Sequence, residues 1–201
     1  MTEARITRRQ VLVGAGAVGA LGALAPTAAL AGDEGKGKLV RWDLVQIVSG
    51  VVLAGGTDDG RDSATGDVVH LTGSGQAEPA RREAAGGGTF VHQHSDGTEF
   101  AHGVYVVTGF KAFENAGGTL VGTPLTDGIG ELDETTGGIL WLNVRAIPSS
   151  GPAHDAVLSV NCALPGSRPG IEEGITLSVG PFNFTQHGGA TVFHVLRGDG
   201  N

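Results

Sequence analysis

Three histidines and a glutamate within eleven residues are the part of this chain best equipped for chemistry: His92, His94, Glu99 and His102. In an extended strand, residues two apart point to the same face, so His92 and His94 present two imidazoles side by side. The segment Ser95-Asp96-Gly97-Thr98 falls between two apolar runs, and Asp-Gly in that position is a strong hairpin signal. Register then decides which side chains meet. A two-residue turn at Asp96-Gly97 sets His94 opposite Glu99 and His92 opposite Ala101, giving a His-His-Glu face with His102 pointing the other way. A three-residue loop, Ser95-Asp96-Gly97 with Gly97 left-handed, shifts the pairing by one. It gathers His92, His94 and His102 with Phe90, Phe100 and Val104. Two imidazoles and a carboxylate suit iron or manganese, and three imidazoles suit zinc or copper, so the cofactor implied by either register is a divalent transition metal. With an open coordination position such a metal activates water or oxygen. The competing reading is a wet hairpin rim with no function.

The spacing His92-x-His94-x4-Glu99, with Gly86 upstream, resembles the first motif of the cupins, metal-binding β-barrels in which these three side chains are ligands. The resemblance covers about twenty residues and implies a metal-dependent enzyme. Val106 stands where that motif closes on glycine. The second cupin motif has no counterpart around His154, His187 or His194.

Other reactive groups carry less. Asp127, Glu131, Asp133 and Glu134 make a carboxylate-rich loop without the spacing of a calcium-binding hand, and Glu172-Glu173 reads as an exposed turn. Ser159 and Ser178 lack the glycine-rich elbow of a serine hydrolase. Arg197-Gly198-Asp199 spells an adhesion tripeptide too short to carry weight. Cys162 is the one cysteine of the chain, so no internal disulfide forms. It shares an apolar face with Leu158, Val160 and Leu164 and reads as a small buried hydrophobe.

At the N-terminus, Gly14, Gly16 and Gly19 spell G-x-G-x-x-G. The strand, helix and acidic residue of a dinucleotide site do not follow. Instead Thr7-Arg8-Arg9-Gln10-Val11-Leu12 leads into a Gly/Ala-rich stretch and ends at Ala29-Leu30-Ala31. This resembles a twin-arginine (Tat) export signal, with Val11 where Phe is preferred. The resemblance implies residues 1–31 as a signal cleaved after Ala31, export to the cell envelope or beyond, and no stable membrane anchor afterwards. The Tat route carries folded proteins, some loaded with a cofactor. Residues 32–38 read as a linker and 39–201 as one domain.

The elements that must hold the histidines are strands. The 201 residues include 36 glycines and are 40% hydrophobic and 17% charged, a composition for a globular chain rich in turns. The formal charge is −8; residues 1–31 carry Arg5, Arg8, Arg9 and Glu3, so the remainder stands at −10. An acidic surface without basic stripes argues against nucleic acid or anionic membrane as partners. Period-2 patterns predict strands at 40–48, 67–72, 89–94, 99–113, 118–121, 138–147, 155–164, 175–184 and 191–196. Residues 55–60 read as a turn and 76–88 as a surface loop. No helix of ten residues is predicted beyond the signal. The fold class is all-β, one antiparallel β-barrel or β-sandwich of about eight or nine strands. Runs such as Leu71-Thr72-Gly73-Ser74-Gly75 and Gly87-Gly88-Thr89-Phe90 resemble secreted bacterial β proteins of unknown function. Two functions from different classes follow: a binding or structural module holding a small apolar ligand, or a cupin-like metalloenzyme.

Overall fold

The computed structural model describes residues 38–196. The signal, linker residues 32–37 and the Arg197-Gly198-Asp199 tripeptide lie outside the described residues. Within them the chain is all-β. The strands are β1 (Leu39–Val48), β2 (Val51–Ala54), β3 (Asp58–Asp62), β4 (Val68–Leu71), β5 (Ser74–Glu78), β6 (Glu83–Gln93) and β7 (Glu99–Gly117), followed by β8 (Thr126–Asp127), β9 (Thr135–Pro148), β10 (His154–Cys162), β11 (Gly174–Val179), β12 (Phe182–Gly188) and β13 (Ala190–Leu196). A 3-10 turn, Leu132–Glu134, precedes β9.

Thirteen strands among the described residues exceed the eight or nine expected, for identifiable reasons. The run Asp58-Asp59-Gly60-Arg61-Asp62 has the composition of a turn yet forms β3, paired with β4 and β12. Residues expected to be a loop form β5 and the first half of β6, paired from Ser74↔Gly87 to Glu78↔Glu83. The expected strand at 175–184 is two strands, broken by a turn at Gly180-Pro181. Residues 118–121 are not a strand. Cross-strand hydrogen bonding and packing outweigh the intrinsic preferences of short polar segments.

Hydrogen bonding runs in two circuits. One passes β3–β4–β6–β7–β9–β10–β11–β12 and returns to β3, because β10 pairs with both β9 and β11. The other passes β1–β5–β6–β7–β9–β13 and returns to β1. Strands β6, β7 and β9 belong to both. β6 gives its first half to β5 and its second half to β4; β9 gives Thr135 and Thr136 to β13 and Gly138–Ala146 to β10. The long β7 follows this divergence through three register shifts, at 107/109, 110/112 and 115/117. Such irregularities bend and twist a strand that a regular ladder would keep straighter.

Alternation fills the interior. Leu140, Leu142 and Val144 of β9 and Leu158, Val160 and Cys162 of β10 are buried, beside Ile175 and Phe184. Trp42 of β1 lies opposite Phe193 of β13, and neither has measurable exposure. Each such large apolar side chain contributes roughly 1.5–3 kcal/mol. Gly86, the glycine of the cupin-like spacing, serves this packing: at φ +142° it brings β6 so close to β5 that a Cβ would lie 2.4 Å from the Ser74 carbonyl oxygen and 3.0 Å from the Trp42 ring. Cys162 is sealed in the same core, donates to the Thr191 carbonyl at 3.3 Å, and has its thiol pKa raised by burial.

Candidate functional site

The β6–β7 hairpin combines the two registers that the sequence allows. At its tip the Gly97 N–H donates to the His94 carbonyl and the His94 N–H to the Thr98 carbonyl, both at 2.8 Å. Gly97 has φ +84°, which makes the loop the three-residue Ser95-Asp96-Gly97 form. One rung deeper the register shifts between His92 and Gln93, so that Gln93 lies opposite Glu99 but His92 lies opposite Ala101. Phe100 is the extra residue of this bulge. The bulge restores the register of a two-residue turn for the rest of the hairpin and leaves the Phe100 ring beside both imidazoles, 4.7 Å from His92 and 5.0 Å from His94 between centroids.

His92 and His94 do share a face, and what they share there is a carboxylate. His92 Nε2 lies 3.0 Å and His94 Nδ1 3.3 Å from the same Oδ2 of Asp67. Asp67 ends the β3–β4 connection, immediately before the rungs Val68↔Gln93 and Val69↔His92. Its place is fixed by Asp62, whose Oδ1 accepts the N–H groups of Ala64 and Thr65 and whose Oδ2 accepts the Asn183 N–H. Asp67 Oδ2 therefore meets the two imidazoles from a braced loop. His92 and Asp67 side chains are nearly buried, at 8% and 7% exposure, whereas His94 is about half exposed.

The electrostatics follow from these positions. Burial lowers the His92 pKa below the ordinary histidine range, outweighing the hydrogen bond and charge of Asp67 that act the other way. Burial alone would raise the Asp67 pKa, but the hydrogen bonds and charges of His92 and His94 hold it below the usual carboxylate range. The pair near neutral pH is thus a neutral imidazole donating its Nε2–H to an ionised carboxylate.

Glu99 and His102 lie elsewhere. Their cross-strand partners, Gln93 and Val91, flank His92 on β6, so Glu99 and His102 point away from the His92 face. They pair with each other, His102 Nδ1 to Glu99 Oε1 at 2.6 Å, both about half exposed. On that outer side Gln93 also meets His70, whose other nitrogen contacts Asp59 at 2.6 Å. The four residues of the cupin-like cluster thus form two separate pairings rather than one ligand set. As placed, the donor set does not fit a metal: two imidazoles turn toward a shared carboxylate and the glutamate faces the opposite way. Among the described residues no three His, Cys, Asp or Glu side chains are grouped to hold a metal ion.

His92 instead borders a cavity of about 370 Å³ inside the first circuit. Val69, Leu71, Val144, Leu158 and Leu177 line its depth, and Phe100, Phe182 and Phe184 stand around the His92 ring. Phe182 and His92 meet edge to face at 4.7 Å, Phe184 and His92 at 5.1 Å, and Phe182 stacks on Phe184 at 5.7 Å. Tyr105 also lines the cavity, with its hydroxyl donating to the Thr72 carbonyl at 3.0 Å. Ser150 and His154 are exposed lining residues.

The residues that sequence reasoning missed are Asp67, Phe182 and Phe184. The aromatic pair has the same two-residue spacing as the histidines and so shares a face by the same rule. Asp67 lies twenty-five positions from His92, and no local pattern joins them. The carboxylate-rich loop also resolves differently from its composition. Asp127 turns inward, its Oδ1 accepting the N–H groups of Ile129 and Gly130 and its Oδ2 meeting His194 Nε2 at 2.6 Å. Glu173 is not a simple exposed turn residue: its carboxylate accepts the N–H groups of Ala163 and Thr191.

Comparison with protein-family models, curated proteins and solved structures gives no match.

Proposed function

We propose that this protein is a ligand-binding β-barrel, the eight-strand circuit being the barrel wall and the cavity within it the seat of a small apolar molecule. The observation that carries the reading is the cavity itself. Its volume falls within the range of small-molecule sites, and its lining is apolar apart from a few polar groups. Ligand sites of this kind bury most of a molecule against hydrocarbon and orient it with few hydrogen bonds. Burial of apolar surface supplies the affinity, at roughly 25 cal/mol per Å². The half-exposed ring of Phe100 and the turn at Gly180-Pro181 stand at the boundary of the cavity, where entry takes place.

The test uses 1-aminoanthracene, whose fluorescence rises in apolar surroundings. Saturable one-to-one binding is expected, lost in a folded Ala146→Trp variant that fills the cavity. Unsaturable fluorescence, or binding unaffected by the filled cavity, would refute the reading.

We further infer, from Arg8-Arg9 and the small-residue end at Ala29-Leu30-Ala31, that the barrel works outside the cytoplasm after Tat export. Replacing both arginines by lysine is expected to hold the protein inside the cell, and unchanged export would remove this part of the proposal.

A further inference from the structure

The chemistry of the ligand is written in the tautomer of His92. Asp67 Oδ2 lies 3.0 Å from His92 Nε2. A carboxylate only accepts, so the proton of a neutral imidazole resides on Nε2 and the lone pair on Nδ1. His94 binds the same carboxylate oxygen at 3.3 Å and reinforces its role as acceptor. Burial lowers the pKa of His92 and the two imidazoles lower that of Asp67, in keeping with this assignment.

His92 Nδ1 has no hydrogen-bond partner among the described residues and, unlike His194 Nδ1, is not among the fully enclosed unpartnered atoms, while the residue itself lines the cavity. The rings that close on His92, those of Phe100, Phe182 and Phe184, bring no N–H or O–H group to it. Tyr105, the other buried polar side chain of the lining, uses its hydroxyl hydrogen on the Thr72 carbonyl. The interior therefore offers an unsatisfied acceptor at His92 and little else that is polar.

Resting on the cavity reading above, we propose that the ligand is a small apolar alcohol or phenol whose single hydroxyl donates to Nδ1 of His92. A ketone, ether or ester of the same shape brings a second acceptor to a nitrogen that already carries a lone pair, and two acceptors cannot bond. Such a site discriminates by leaving a polar group unpaired, which is more selective than fitting hydrocarbon shape alone. Asp67 acts as a positioning residue, since it fixes which nitrogen accepts without touching the ligand.

Calorimetric titration of the full chain with 4-propylphenol, 4-propylanisole and propylbenzene tests the idea. The phenol is expected to bind about tenfold more tightly than either of the others, the effect of one hydrogen bond. A His92→Phe variant is expected to erase that preference while retaining propylbenzene. Equal affinity for phenol and anisole would overturn the hydroxyl assignment and leave the cavity reading standing; no binding of any of the three would overturn both. Nitrogen-15 spectra of the wild-type histidines give an answer independent of the variant. An unprotonated His92 Nδ1 that shifts with propylphenol and not with propylbenzene supports the proposal, and a protonated Nδ1 would end it.

Discussion

Two buried histidine–aspartate pairs lie among the described residues, and they differ in what surrounds the second nitrogen of the ring. His194 of β13 and Asp127 of β8 meet at 2.6 Å with 0% and 2% of their side chains exposed, and Nδ1 of His194 is enclosed without a partner. His92 and Asp67 meet at 3.0 Å, nearly as deeply, but the His92 ring borders a cavity. The same two residue types therefore serve two ends. In the first pair the contact joins β13 to the β8 region, sixty-seven positions away along the chain, and the remaining ring nitrogen is closed off. In the second, the carboxylate sets the tautomer of a ring that still has an acceptor to offer. A histidine–aspartate contact is not in itself a site. What matters is whether the ring nitrogen opposite the carboxylate reaches open space.

The comparison is broken most severely at the sealed pair. His194→Ala leaves the Asp127 carboxylate without its imidazole in the interior, and the expected loss is about 3–5 kcal/mol of unfolding free energy in a denaturant titration. A loss below about 1 kcal/mol would mean that the sealed pair does not hold the region together. Asp58 sharpens the contrast by having no imidazole at all. It is fully buried with no side-chain partner for its carboxylate among the described residues, and burial, then Glu173 and Asp59, push its pKa up to about 7 against the lowering effect of the Asp59 N–H. Because the folded value exceeds the unfolded one, its contribution to stability is complete below about pH 4 and is lost as pH rises through about 7. Asp58→Asn is expected to recover on the order of 4 kcal/mol above pH 8 relative to its effect at pH 4, by the conversion of about 1.36 kcal/mol per unit. Parallel stability–pH curves for variant and wild type would exclude this role for Asp58.

The smallest effect belongs to the open pair. His92→Phe keeps an aromatic ring among Phe100, Phe182 and Phe184 and leaves Asp67 its contact with His94, so about 1–2 kcal/mol is expected. The same variant changes the acid side of the stability curve. The folded pKa of His92 is depressed, so its contribution is whole above about pH 6.5 and declines as pH falls toward the folded value. Unfolding between pH 7.5 and 5 is expected to show a shallower decline in His92→Phe than in the wild type. A loss as large as that of His194→Ala would erase the distinction between the pairs.

Much of the architecture was legible in the chain because alternation is a local signal. Val40, Trp42 and Leu44 announce β1, and Asp96-Gly97 announces the β6–β7 turn. What stayed hidden is held by partners remote in sequence. Asp58 to Gly60 reads as part of a turn until β12 and β4 are set beside it, and Asp62 braces its loop partly through Asn183, 121 positions away. The candidate site was legible to the same depth. His92 and His94 on one face followed from spacing, whereas their meeting at Asp67 requires β4 to lie against β6. The bulge at Phe100 joins a tip of one register to a stem of the other, which no choice between the two registers foresees.

The pairing of β1 with β13, from Leu39↔Leu196 to Val45↔Ala190, also has a consequence in time. The second circuit is completed only when the last described strand lies against the first, so a chain emerging from the ribosome cannot finish it until β13 has been made. Closure of a loop that long is slow compared with formation of neighbouring hairpins. β1 in the meantime presents Trp42 and Leu44 on a strand with an unfilled edge, a surface on which unfinished chains associate. The interval before β13 docks is therefore when the chain is most in need of a chaperone.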